Sequence, residues 1–343
     1  TFKAPEGAFF IIIMQICFIW ILSVFSFLTD EPDVKTFRIS GIAQGTTYQV
    51  TYYAADSVVF KSQTDSILIK IDSSLSIYKP YSLISRFNDS EKGLQIDIHF
   101  KEVVKKALRI YRETRGAFDI TVKPLVQAWG FGVKPVSAFP DPGAIKSLLT
   151  CIGSDKIQLK KGLLLKDKPC IQVDVNGIAQ GYSVDILANF LESKGIQNYL
   201  VEIGGEIRVK GRKPQGGYMT IGIESPPDEP GQSPVQKLIQ LPGGAITTSG
   251  NYRKYHQSGS KKISHLIDPQ TGYPIQNELI SVTVLAKDAL IADGYDNALM
   301  GMGLKKAMSF VKSHKKIEAH FIYRKDNGLV ADTASTGFYK FMK

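Results

Sequence analysis

The stretch "ADGYDNALMGMG", residues 292–303, sets the reading of everything around it. Apolar residues recur in it at helical spacing and Gly303 follows as a stop, which predicts a helix over about 289–302. On such a helix Asp293, Asp296 and Asn297 fall at i, i+3 and i+4 and share one face. No Lys or Arg lies in the stretch to pair with them. The face is therefore either solvated or occupied by a cation. Carboxylate and amide oxygens suit a hard ion such as magnesium and not zinc, whose Cys and His spacing is missing. Magnesium held by a couple of carboxylates completes its shell with water and ligand phosphate, so the motif implies a phosphate-bearing substrate. Acids gathered near a helix start for its dipole are the simpler explanation that competes with this one.

Downstream, a second helix over 304–313 and a hairpin around Asp326-Asn327-Gly328 follow. Upstream, residues 280–286, 263–267, 236–241, 218–223, 206–210 and 199–203 read as strands, with a helix over 181–193 closed by Gly195. Further back come β-type runs at 157–165 and 171–175 and a Gly- and Pro-rich loop at 129–141. A helix over 100–115 shows one apolar face, Val103, Val104, Ala107, Leu108 and Tyr111, and stops at Gly116. A strand pair at 37–54 and a helix over 56–76 open the domain. Strands and helices are interspersed without a regular βαβ rhythm, which predicts an α+β layered domain.

The composition, 43% hydrophobic and 22% charged over 343 residues, is that of a globular protein with a sizeable core, and it excludes disorder as the main theme. Lys and Arg exceed Asp and Glu by 42 to 32, a formal charge of +10. Yet the lysines are scattered in pairs such as Lys105-Lys106, Lys261-Lys262 and Lys305-Lys306, with no nucleic-acid motif. The charge reads as a solvated surface, with attraction of a small anionic ligand as a secondary role and no nucleic-acid partner.

Residues 8–28, "AFFIIIMQICFIWILSVFSFL", carry no charge and are about long enough to cross a bilayer core. No small-x-small cleavage site follows, and Cys17 lacks the small neighbours of a lipoprotein site, so an uncleaved anchor is expected over a removed signal. Lys3 before the run and Asp30, Glu31 and Asp33 after it place the rest of the chain outside the cytoplasm. The division expected is 1–34 as membrane anchor or signal segment with its linker and 35–343 as one domain. For Cys151 and Cys170 a disulfide is open to an exported chain, but two buried thiols are expected, since a domain of this size needs no staple.

Glycine-flanked stretches carry the remaining chemistry. "DVNGIAQGYSVD" (174–185) sets Asp174 at a strand end and Gly177 and Gly181 around a helix start, a turn that lets a ligand approach the backbone. "VEIGGEIRVKG" (201–211) pivots on Gly204-Gly205, and "AITTSGNYRKY" (245–255) offers the hydroxyls of Thr247, Thr248 and Ser249. Structural turns explain each of these by itself. "SHLIDPQTGYP" (264–274) brackets a strand end with His265 and Asp268, and His265 is one of only 5 histidines in the chain.

Taken in order, "GTTY" (45–48), "SIYKPYSLISRFN" (76–88), "GAFDITVKPLVQAWGFG" (116–132), "DVNGIAQGYSVD", "VEIGGEI", "TTSGNY", "SHLIDPQTGYPI" and "ADGYDNALMGMG" give the chain its likeness: over about residues 41–303 it resembles the ApbE family, the FAD:protein FMN transferases. The resemblance implies an ApbE-like α+β layered domain of mixed sheets and helices, preceded by an N-terminal transmembrane or signal-anchor helix. It implies magnesium-dependent transfer of FMN from FAD to a Thr hydroxyl of a target protein, releasing AMP. The implied place is the inner (cytoplasmic) membrane with the catalytic domain on the periplasmic side. The implied partners are FAD and an acceptor protein such as a subunit of a membrane redox complex.

Carried over by motif, the resemblance makes Gly177, Asp293, Asp296 and Asn297 the metal ligands, Gly177 through its carbonyl. Gln44, Tyr78, Ala117, Phe118, Asp119, Asp174, Gln180 and Ile267 would contact FAD. His265 matches the residue associated with catalysis. Gln44 stands where Met is frequent, Gln180 where Lys or Glu is usual, and Asn297 where Thr is common. The last keeps an oxygen ligand, because the amide carbonyl can serve. An FAD pyrophosphatase using the same residues, or a non-catalytic tethered FAD-binding protein, are the alternative activities.

Overall fold

The computed structural model describes residues 34–224, 235–251, 255–258 and 261–343. The uncharged run at 8–28 and the anchor expected from it lie outside these residues. Among the described residues no helix is long and apolar enough to cross a membrane.

Two strands, β1 (Lys35–Ala43) and β2 (Thr46–Ala54), pair as a hairpin whose turn places Gln44 and Gly45 at positive φ, 53° and 76°. Helix α1 (Lys61–Leu75) begins five residues later than the pattern suggests, because Phe60 before it is extended. Helix α2 (Leu83–Asp89) and strand β3 (Gly93–Gln95) lead to α3 (Ile98–Glu113), capped by the Asp97 carboxylate, which accepts from the Phe100 amide. Its buried face is Phe100, Val103, Val104, Ala107 and Ile110, close to the stripe read from spacing. The short helices α4 (Lys123–Ala128) and α5 (Pro142–Leu149) flank the expected Gly/Pro loop. Strands β4 (Ile157–Lys160) and β5 (Leu163–Lys166) join β3 in a small sheet ordered β3-β5-β4.

Helix α6 (Asn176–Ser193) is followed by β6 (Tyr199–Ile203), β7 (Glu206–Lys210), β8 (Met219–Glu224), β9 (Val235–Leu241) and β10 (Gly243–Gly250). Then come the pair β11 (Tyr255–Ser258) and β12 (Lys261–Ser264), strand β13 (Leu279–Ala286), helices α7 (Ala289–Met302) and α8 (Leu304–Ser313), and the closing hairpin β14 (Glu318–Arg324) and β15 (Val330–Ala334). Eight strands form one sheet in the order β1-β2-β6-β7-β10-β13-β14-β15, every neighbouring pair antiparallel. Interior strand β13 is rich in β-branched residues and buried on both faces, as its place between β10 and β14 requires.

The sheet is the middle layer. On one face α6 and α7 pack over it and against each other. On the other, the β8–β9 ribbon and the final turn Phe338–Phe341 enclose a second apolar layer containing Ile221, Ile239, Ile246, Leu285 and Phe338. Gly181 is the point of closest approach between the helices, where an added Cβ would stand 2.4 Å from the Ala289 carbonyl oxygen. The N-terminus of α7 is capped from its neighbour: the Asp185 carboxylate accepts from the amides of Ala289 and Leu290, each at 2.9 Å.

The structure corrects some expectations. Residues 171–175 form no strand; their ladder partner is replaced by the Asn88 side chain, which accepts from the Val173 amide and donates to its carbonyl, while Gln172 makes one isolated bridge with Val122. Cys151 and Cys170 are not separate thiols but a disulfide, with Cα atoms 5.7 Å apart. The cysteines lie at the two ends of the segment carrying β4 and β5, whose Ile157 and Leu164 join the main core.

Candidate functional site

The site begins at a fault in a helix. Gly177 has φ −84° and ψ 20°, outside the helical range, so the first turn of α6 kinks there and its carbonyl leaves the helical ladder. The freed oxygen faces α7, whose Asn297 amide donates toward it at 3.4 Å. The same Asn297 nitrogen, Nδ2, lies 3.0 Å from the Asp293 carbonyl oxygen, 3.4 Å from Asp293 Oδ1 and 2.9 Å from Asp296 Oδ1. The structure thus brings together all four residues expected to hold a metal. A Cβ at 177 would stand 3.3 Å from that nitrogen, so any larger residue would press on the Asn297 amide.

Asp293 and Asp296 are 3% and 1% exposed, far drier than a solvated acidic face would be. Burial pushes both carboxyl groups well above their ordinary range, and further upward pushes come from the Glu206 charge on Asp293 and the Asp293 charge on Asp296. Gly181 answers part of this by donating its amide to Asp293 Oδ2 at 2.9 Å. Thr247 and Ser249, on alternate positions of β10, line the same place. Ser249 donates to Asn297 Oδ1 at 3.2 Å. Thr247, wholly buried, turns its hydroxyl close enough to Asp296 to favour the ionised carboxyl, yet outside ordinary hydrogen-bond geometry. Among the described residues no three His, Cys, Asp or Glu side chains gather as a ligand set. What is gathered is two carboxylates, two carbonyl oxygens and an amide, a donor set for a hard cation.

Around this cluster stand the residues expected to touch FAD. The Phe118 ring lies against Gly177, 3.6 Å from where a Cβ would be. Asp119 is buried and spends its carboxylate inside the protein, accepting from Thr121 N and Oγ1 and from Ser154 N and Oγ. It shapes the 117–119 segment, with its ionised form favoured by these bonds although burial raises the carboxyl overall. Asp174 accepts from the Asn176 amide and is likewise pushed up by burial. Tyr78 is 61% exposed, and its phenol is raised by burial and by the Asp174 charge beside it. Gln44 donates from Nε2 to Ser183 Oγ at 2.7 Å, which ties the β1–β2 turn to α6. Gln180, one turn away, lies against the Gly204 turn.

His265 and Ile267 come from the other side. After β12 the chain runs past His265, whose ring meets Phe131 edge-on at 6.3 Å, and Ile267, buried with Trp129 and bridged to Pro274. The turn that follows is pinned toward the 115–118 segment: Gln270 Nε2 donates to the Arg115 carbonyl at 2.7 Å, and Trp129 Nε1 donates to that of Gly272 at 2.8 Å. Ile275 and the Ala117 carbonyl both border Gly301 near the end of α7. His265 therefore belongs to a loop fastened to Arg115, three residues before the Phe118 ring that lies against Gly177.

Sequence reasoning missed Lys123, whose ammonium is lowered by burial and held up in part by the Asp174 charge, and whose Nζ donates to Gln172 at 2.8 Å. It also gave Glu206 no part in the cluster. Glu206 sits in a quoted motif, but only the pairing of β6 with β7 and β7 with β10 carries it to α7.

A model of the ApbE family matches residues 44–321. A Vibrio cholerae protein named FAD:protein FMN transferase is 36% identical over 334 residues, covering 94% of this chain and 98% of that one. A Haemophilus influenzae protein of the same name is 37% identical over 318 residues, 89% of this chain and 91% of that one. Among solved structures, the flavin transferase ApbE of Vibrio cholerae superposes with a TM-score of 0.82 at 37% identity, covering 90% of this chain and 99% of that one. The apo form of the Pseudomonas stutzeri flavinyl transferase ApbE gives 0.82 at 33% identity, covering 91% and 98%.

Proposed function

The chain belongs to the ApbE family, and from that premise we propose that it transfers FMN from FAD to a Thr hydroxyl of an acceptor protein, with AMP as the leaving group. The observation that carries this reading is the convergence of Gly177, Asp293, Asp296 and Asn297 on one point at the kinked start of α6. Buried carboxyl groups raised by burial and by neighbouring charge, Asp293 by Glu206 and Asp296 by Asp293, more oxygens than N–H donors, and a carbonyl released from its helix fit a hard divalent cation. Magnesium there would offset the charge of the FAD diphosphate and make the FMN-side phosphorus easier to attack.

The chain's own residues do the rest. Asp119 holds the 117–119 wall by four hydrogen bonds, so that wall stays rigid as substrate enters. Tyr78 offers an exposed aromatic face beside Asp174, and Lys123 supplies a cation nearby. His265 takes the proton of the incoming hydroxyl as the Thr oxygen–phosphorus bond forms and the bond from phosphorus to the AMP oxygen breaks.

Incubation with FAD, magnesium chloride and candidate acceptor proteins, followed by intact mass and in-gel flavin fluorescence, tests the reading. Added FMN mass on an acceptor is the expected result. Free FMN and AMP with no protein adduct would replace it with an FAD pyrophosphatase, and unchanged FAD would leave a binding protein.

Residues 8–28 support a tether at the inner membrane with the domain on the periplasmic side, and the Cys151–Cys170 disulfide suits an oxidising compartment. Release of the full chain from membranes by alkaline carbonate would count against the tether.

A further inference from the structure

Asn297 makes an unusual set of contacts. Its Nδ2 carries two N–H bonds, yet four oxygens stand within 3.4 Å of it: the Gly177 and Asp293 carbonyls and one carboxylate oxygen each of Asp293 and Asp296. The side-chain nitrogen thus sits where a cation would be most favoured, and it satisfies fewer acceptors than it faces. The opposite end of the same amide, Oδ1, receives a hydrogen bond from the Ser249 hydroxyl. A hydroxyl both donates and accepts, so Ser249 is served equally well by either end of the amide.

We propose that Asn297 is a reversible plug for the cation site, turning about its Cβ–Cγ bond between two states. With Nδ2 inward, the amide partly neutralises the oxygen cluster by its own N–H dipoles. With Oδ1 inward, it becomes a neutral ligand for a hard divalent cation, and Ser249 accepts from Nδ2 instead of donating to Oδ1. The inference rests on the cation reading above and adds a role particular to this side chain. Cation binding must displace the N–H groups, so the site trades affinity for a cluster that tolerates loss of its ion.

The full chain, purified with magnesium, is compared as wild type, Asn297→Asp and Asn297→Thr by thermal melting in EDTA and by calorimetric titration with magnesium chloride alone. Wild type should gain less melting temperature on going from EDTA to magnesium than either variant, because its own amide already offsets part of the oxygen cluster. Asn297→Asp places a third carboxylate where a donor stood; it should melt lower in EDTA, recover with magnesium and bind the ion about ten-fold more tightly. Asn297→Thr, with one hydroxyl donor and no amide to turn, should also melt below wild type in EDTA and gain more from magnesium, which keeps the question open to measurement if Asn297→Asp does not survive chelation. Equal melting in EDTA and equal magnesium affinity across all three proteins would remove Asn297 from this role while leaving the cation reading in place. Absence of magnesium binding by all three would overturn both.

Discussion

At the scale of single residues, His265 carries the sharpest expectation. It sits at the end of β12 on a loop pinned to Arg115 and bordering Ala117, while the residues that flank Asp174 come from other elements. A base for the acceptor hydroxyl contributes to rate and little to FAD affinity. General-base help is typically worth about a hundred- to ten-thousand-fold. His265→Ala should lose transfer by that order while its FAD dissociation constant, read by flavin fluorescence quenching, stays close to wild type. A variant with normal turnover and weak FAD binding would make His265 a substrate ligand instead. The residues of this site were legible to different degrees. Asp293, Asp296 and Asn297 follow from helical spacing, a local rule. Gly177 was a glycine with a plausible turn, and only the α6 kink shows that its carbonyl faces Asn297. Asp119 was expected to contact FAD, and no pattern in sequence reveals that its carboxylate is bound to Thr121 and Ser154, since Ser154 lies 35 positions away.

At the scale of elements, the site depends on how closely α6 and α7 approach. Gly181 allows that approach: a Cβ there would meet the Ala289 carbonyl oxygen at 2.4 Å and Asp293 Cβ at 2.8 Å, both too short to keep. Neither contact is the far end of a flexible chain, so the helices must separate. Overpacking of this kind costs about 1–3 kcal/mol. Gly181→Val should lower the melting temperature and weaken magnesium-dependent FAD binding together, because the displaced helix α7 is the one that carries Asp293. Loss of stability with full FAD affinity would show that the cation cluster tolerates helix separation. Long elements with strong periodicity, such as α3, α7, α8 and β13, were readable to within a few residues, because their buried faces repeat in sequence. The short helices α2, α4 and α5 and strand β11 were not, since a turn or two of chain has no period to read and is fixed by tertiary neighbours such as Trp129 and Ile145.

At the scale of the whole molecule, stability is also held by groups outside the cation cluster. The disulfide closes a loop of 19 residues, for which chain entropy gives about 3 kcal/mol. Cys151→Ser should therefore lower the unfolding free energy by that order in urea, and a reducing agent should do the same to wild type but not to the variant. Under the β8–β9 ribbon lies a second device, blind to redox and sensitive to pH. His320 is 1% exposed on β14, stacked on Phe338, with Nε2 2.9 Å from the Asp332 carboxylate, which also pairs with Lys237 of β9. Burial lowers the imidazole below its ordinary 6.5, and the Asp332 bond offsets this only in part. The folded protein thus prefers neutral His320, while the unfolded chain takes up a proton near 6.5. Protons bound preferentially by the unfolded state make stability rise with pH, so His320's contribution is full above 6.5 and lost as pH falls through that value toward the lower folded one. Urea midpoints measured from neutral pH down to about 5 should fall for wild type. His320→Gln, which cannot take up the proton, should flatten that part of the profile. An identical slope in the variant would assign the acid sensitivity to other groups and leave His320 as packing beneath the ribbon.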